Sequence, residues 1–171
     1  MSIIPLVTIP FGIVVERCKS AGPWADFLWR PVSLLAGMPE TPPWTKLSDD
    51  GERATFYAGK ASVELYRSEA SNYRENLLVE VPALWVALPS AEGDPPFGAP
   101  AMTADPAEGE AWAGTSDVIV ESLPMPDAVR AIVADFVAEH HVERAFSKRQ
   151  RDRADPEAMA KRMPQEHDGK P

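Results

Sequence analysis

Proline recurs too often along this chain for long helices. Eighteen prolines and ten glycines are spread through 171 residues. Each proline lacks an amide donor and biases the residue before it away from helical geometry. The consequence is many turns and short elements, which favours a β-rich architecture. A hydrophobic content of 44% with five tryptophans still supplies a real core, and the length suits one domain with a tail.

FGIVVER (Phe11–Arg17) is a β-branched run and predicts the first strand. Pro23 allows one helical turn through Trp24, Ala25 and Asp26. A second strand starts near Phe27, with a bulge or edge position at Pro31, and Gly37 and Pro39 end it. MPETPPWTKLSDDGER reads as a loop that Trp44 and Leu47 pin to the core. RATFYAGKASVELYRSE alternates on both sides of Ala58-Gly59-Lys60-Ala61, which predicts a hairpin turning there.

Residues 69–77 read as a short helix or an irregular turn. Strands follow at 83–88, 100–105 and 118–123, with a helix at 106–113 capped by Asp105. In PDAVRAIVADFVAEHHVER, Val129, Ile132, Val133, Phe136 and Val137 form one apolar stripe, with Arg130 and Asp135 facing water. This predicts an amphipathic helix over 126–144 that packs on a sheet. The expected domain spans 1–146, and 147–171 is a charged, mobile tail with a short helix at 156–163. The fold class is α+β: a mainly antiparallel sheet or partly open barrel of about seven strands with a C-terminal helix, the pleckstrin-homology barrel being the analogue.

Charge is uneven. Residues 1–143 carry a net −12 and residues 144–171 a net +3. An acidic body repels phosphates, so nucleic-acid binding is disfavoured. Cys18 is the only cysteine, which rules out an internal disulfide and fits a reducing cytoplasm. As a lone thiol beside Arg17 and Lys19 it has two readings, a reactive thiolate or an incidental cysteine, and no base stands near it in sequence. The apolar N-terminal stretch lacks a basic region and is broken by Pro5 and Pro10, so it reads as a core strand rather than a targeting or membrane segment.

No catalytic or metal-binding set emerges. His140 and His141 are adjacent, and adjacent helical side chains diverge by about 100°, whereas chelation on a helix uses i,i+3 or i,i+4 spacing. His167 lies in the tail. No G-x-S-x-G elbow is present. Asp49-Asp50-Gly51-Glu52 reads as solvated turn carboxylates. In LLAGMPE a single glycine is followed by Met38-Pro39, so a phosphate cradle is not formed. No cofactor is implied by these residues.

Partner binding remains. Tryptophan is enriched at binding hot spots, which marks Trp24 and Trp44 and, further on, Trp85 and Trp112. Large apolar residues are normally buried, so most of these are expected in the core. The basic run Lys148, Arg149, Arg151 and Arg153 reads either as a solvated extension balanced by nearby acids or as a docking peptide for an acidic partner.

VVERCKSAGPWADFLWRPVSLL, ATFYAGKASVELYRSEASNYRENL, DPAEGEAW and FVAEHHVERAFSKRQRDRADPEA, in that order, resemble a bacterial domain-of-unknown-function family, domain of unknown function 3305. Members of that family are encoded beside genes for formate dehydrogenase and its maturation, and some carry the label molybdopterin-guanine dinucleotide biosynthesis protein A. The resemblance implies a cytoplasmic, non-enzymatic accessory protein that binds a component of a molybdenum- or tungsten-dependent formate dehydrogenase system. The label implies an alternative, a nucleotidyltransferase or carrier of the dinucleotide cofactor. That enzyme has an N-terminal glycine-rich loop with a basic residue, and LLAGMPE is all this chain offers in its place.

Overall fold

Two antiparallel sheets face one core in a computed structural model that describes residues 3–37 and 39–142. The first sheet holds β1 (Val7–Lys19), β2 (Phe27–Ala36), β3 (Thr45–Asp49) and β4 (Arg53–Leu65) in the order β2-β1-β4-β3. The second holds β5 (Ala83–Pro89), β6 (Ala101–Thr103) and β7 (Val118–Pro124) in the order β6-β5-β7. β2 runs close to β7 and β4 close to β6, yet no strand pairing joins the sheets among the described residues. The result is the expected α+β class, with an open rather than closed barrel.

β1 organises the first sheet. Phe11, Ile13 and Val15 alternate inward and are buried, as period-2 geometry requires. Opposite them β4 runs without interruption from Val7↔Leu65 to Cys18↔Arg53. The hairpin expected at Ala58–Ala61 is therefore absent. Gly59 adopts φ +119°, but the chain bulges there instead of reversing: Ile13 pairs with Gly59 and Val14 with Tyr57, leaving Ala58 as the extra residue. The bulge moves the inward set from Ala61, Val63 and Leu65 to Ala54, Phe56 and Ala58, so both halves of β4 bury apolar side chains.

The true hairpin lies upstream, where a loop was expected. β3 pairs with β4, and the turn between them is built by Asp49, Asp50 and Gly51. Asp50 Oδ1 accepts from the Glu52 and Arg53 amides at 3.0 and 2.8 Å, Asp49 Oδ1 accepts from the Gly51 amide at 2.9 Å, and Gly51 takes φ +91°. Among the described residues seven strands are present, as expected, because the gain of β3 offsets the merging of two expected strands into β4.

β2 behaves as expected. Val14 pairs with Ser33 and Val15 with Pro31, which leaves Val32 as a bulge beside the proline on an edge strand. The helical turn expected at Trp24–Asp26 does not form. Residues 20–26 make a hairpin loop closed by the Ser20 amide donating to Asp26 O at 3.0 Å.

Among the described residues three α-helices pack against the sheets. α1 (Ala70–Leu78) realises the helical alternative, and α2 (Pro106–Ala113) starts at Asp105, whose Oδ1 accepts from the Ala107 amide at 2.8 Å. α3 (Asp127–His140) is shorter than the expected 126–144. It buries Val129, Val133 and Phe136 and leaves Ile132 40% exposed. Its buried residues join the core that the two sheets face, and its neighbour among the helices is α1, with Phe136 meeting Tyr73 edge-on at 5.9 Å. Expectations for the tail, 147–171, and its helix at 156–163 lie outside the described residues. Among the described residues no helix is long and apolar enough to cross a membrane.

Candidate partner-binding end

The β1–β2 hairpin carries Trp24 at its tip. The side chain is 95% exposed, and Phe27 and Leu28 at the start of β2 are also exposed. Behind the tip the inward faces of β2 and β4 bring rings together. Trp29 lies 5.6 Å from Phe56, 5.4 Å from Phe97 and 6.0 Å from Trp44, and Trp44 stacks on Phe97 at 5.7 Å. Edge-to-face and stacked pairs at these separations fix one another. Trp44 is held at φ +66°, with its amide donating to Tyr57 O. The two tryptophans marked as partner-binding candidates thus sit differently: Trp24 is free in solvent, and Trp44 is half-buried with its ring committed to the cluster. Trp85 and Trp112 are half-buried.

Arg17 follows the inward alternation of β1 to the end of the sheet, where its guanidinium lies 4.3 Å from the Phe27 ring centre, 5.2 Å from Phe56 and 5.6 Å from Trp29. Other cations nearby have acidic partners. Arg30 meets Glu16 at 3.2 Å and Arg53 meets it at 3.8 Å, Lys46 meets Asp49 at 2.8 Å, and Lys19 meets Glu52 at 3.8 Å.

Cys18 points the other way from Arg17 and Lys19, because neighbouring strand residues alternate between faces. Its thiol donates to Glu16 Oε1 at 3.3 Å. That bond, together with the negative charge beside it, pushes the thiol pKa up. Glu16 is correspondingly held below its ordinary value, first by the Cys18 thiol and then by Arg30 and Arg53. Of the two readings of Cys18, the geometry favours the unreactive one.

Sequence reasoning missed a cavity of about 440 Å³ lined by Tyr66, Glu69, Tyr73, Asp105 and Glu108. Its walls come from the turn before α1 and the start of α2, far apart in sequence. Asn72 Nδ2 bridges them, donating to Glu69 Oε2 at 3.1 Å and Asp105 Oδ2 at 2.9 Å. Tyr73 Oη accepts from the Tyr66 amide at 3.1 Å, and burial pushes its phenol up to about 12. The alternation of single Asn, Tyr and Asp residues in polar stretches carries no signal that they converge.

The remaining candidates resolve simply. His140 lies on Phe136 at 4.5 Å with Glu139 at 3.7 Å, and no group of three His, Cys, Asp or Glu among the described residues is placed to hold a metal. Gly37 follows the last residue of β2 and faces open space, and the next described element is β3 rather than a helix. The Asp49–Glu52 run is the β3–β4 turn. Lys148, Arg149, Arg151, Arg153 and His167 lie outside the described residues.

Comparison with curated proteins gives no match, and comparison with solved structures gives none either. A family model described as a protein of unknown function (DUF3305) matches residues 10–150, from within β1 to beyond α3. That span contains the hairpin tip, the aromatic cluster and all three helices, and the chain belongs to the DUF3305 family.

Proposed function

We propose that this chain is a non-enzymatic, cytoplasmic accessory protein that docks on another protein through its β1–β2 end. The partner is a component of a molybdenum- or tungsten-dependent formate dehydrogenase system, as the family resemblance implies. In this reading residues 1–146 are the docking domain, and the basic run of 147–171 adds a second, electrostatic contact.

The carrying observation is Trp24. The indole stands 95% exposed at a hairpin tip while Trp29 and Trp44 are pinned behind it. Leaving so large an apolar ring in water forgoes the stabilisation that burial brings, and tryptophans that anchor interfaces contribute about 2 kcal/mol or more. The dinucleotide alternative finds less to support it: LLAGMPE has no helix behind it, and the cavity beside α1 is walled by carboxylates that repel phosphate.

Native affinity capture with quantitative mass spectrometry, comparing the unaltered chain with Trp24→Ala, tests the proposal. The expected result is enrichment of a formate dehydrogenase subunit or maturation factor that falls at least about tenfold in the variant, with an unchanged melting temperature. Capture of no such component, or capture indifferent to Trp24, overturns it.

A further inference from the structure

We infer that the pocket at Arg17 receives the side-chain carboxylate of an acidic residue that the partner presents within an otherwise apolar segment. This rests on the docking reading above and names the chemistry of the docked segment.

Arg17 is the unmatched cation of this end. Arg30, Arg53, Lys46 and Lys19 each have a carboxylate within 4.0 Å, whereas Arg17 makes no ion pair among the described residues. Its planar group is instead clamped by Phe27, Phe56 and Trp29. The rings restrict its rotamers, and among the described residues its N–H groups make no side-chain hydrogen bond, so a planar fork suited to a bidentate carboxylate is held in place. The ordering cost of a long side chain is thereby met before the ligand arrives.

The charge of Arg17 reaches Asp49, yet the hydrogen bonds and ion pairs of the neighbouring acids go to other groups. Asp49 takes the Lys46 ammonium at 2.8 Å and the Gly51 amide at 2.9 Å, and Glu52 faces Lys19. A cavity of about 190 Å³ lies here, lined by three cations, Arg17, Lys19 and Arg53, by the Phe27 ring and by the two carboxylates Asp49 and Glu52, which leaves the cations in excess by one. Small-molecule sites commonly measure about 300–1,000 Å³, so this one suits a single side chain rather than a nucleotide.

Long-range charge narrows the ligand further. Residues 1–143 carry a net −12, so a strongly acidic segment is repelled before it arrives. One carboxylate flanked by apolar side chains avoids that repulsion and matches the exposed Trp24 at the hairpin tip and the partly exposed Phe27 on the face of Arg17. Carboxylate on guanidinium then sets the register of the segment, and the apolar flanks supply area.

The test uses two blocked peptides, Ac-Gly-Leu-Glu-Leu-Gly-NH₂ and its Gln twin, titrated into the isotope-labelled full chain with the Arg17 Nε–H and Gly51 amide resonances observed. Saturable shifts with the Glu peptide, at least about tenfold tighter than with the Gln peptide, are expected. The preference should vanish in Arg17→Gln and weaken in Arg17→Lys, which keeps charge but loses the planar fork. Equal affinity for the two peptides, or resonances that do not move, overturns the inference without any variant having to fold. Failure here with Trp24-dependent capture intact refutes the carboxylate alone. Failed capture with a positive titration refutes the formate dehydrogenase reading alone.

Discussion

Gly109 of α2 lies so close to Trp85 of β5 that a Cβ at its position would stand 2.2 Å from the indole Cγ. The absence of a side chain is what lets the helix settle on the strand. Alanine in a helix interior ordinarily improves on glycine by about 1 kcal/mol. Here the overlap is with a rigid ring, and overpacking costs about 1–3 kcal/mol or more. Gly109→Ala should therefore lower stability in urea unfolding; a gain would show that α2 can lift off β5 freely.

Asn76 ties α1 to the start of β5 and to the residue that follows β6. Its Nδ2 donates to Ala83 O and Ala104 O, both at 2.8 Å, and its Oδ1 accepts from the Ala83 amide at 3.0 Å. Each buried group left unpaired costs about 1–3 kcal/mol. Asn76→Ala leaves three groups without that partner and should cost at least about 3 kcal/mol. Asn76→Asp should cost more, since it turns a carboxylate towards two carbonyl oxygens. Chemical denaturation with an unchanged m-value checks both, and an Asp variant more stable than the Ala variant would contradict the assigned amide orientation.

Cys18 and Glu16 titrate against each other. The thiol pKa is raised, so its share of stability is complete below the unfolded thiol value and is lost as pH rises through the folded one. The carboxyl pKa is lowered, so its share is present above the unfolded carboxyl value and is lost as pH falls through the folded one. Iodoacetamide at mildly alkaline pH should alkylate Cys18 more slowly in the folded chain than in the denatured chain. Glu16→Gln should accelerate the folded reaction, because it removes the negative charge and leaves Arg30 and Arg53 beside the sulfur. Identical rates for the two folded proteins would disprove the coupling.

Tyr73 should ionise at about 12 rather than at its ordinary 10.0, because burial penalises the phenolate. The contribution to stability is full below the ordinary value and disappears as pH climbs towards the shifted one. Ultraviolet difference titration reads this directly: a late phenol step seen in the unaltered chain should be missing from Tyr73→Phe. That variant also strands the Tyr66 amide, at a cost of about 1–3 kcal/mol.

Local chemistry was legible where it is self-contained. Asp105-Pro106 starts a helix because the carboxylate and the ring act on the adjacent backbone, and Pro31 marks a bulge because it lacks a donor. Gly59 was misread because a glycine between two alternating runs suits a turn and a bulge equally. The long partner strand β1 decides between them, and that choice is non-local. Asp50-Gly51 was a hairpin signal passed over because the prolines upstream read as loop.

At the candidate site, Trp24 could be marked from the sequence but its exposure could not be separated from the packing of Trp44. The setting of Arg17 was hidden altogether, since its three rings come from β2 and β4.

The long antiparallel pairing of β1 with β4 also fixes when the first sheet can be completed. Val7 finds its partner only at Leu65, with β2 and β3 held in the intervening segment. Closing so distant a pair before any contact rewards it slows folding relative to local structure. On a ribosome, the first sheet stays incomplete until Leu65 has left the exit tunnel. Until then the apolar face of β1 is exposed to chaperones and to neighbouring nascent chains.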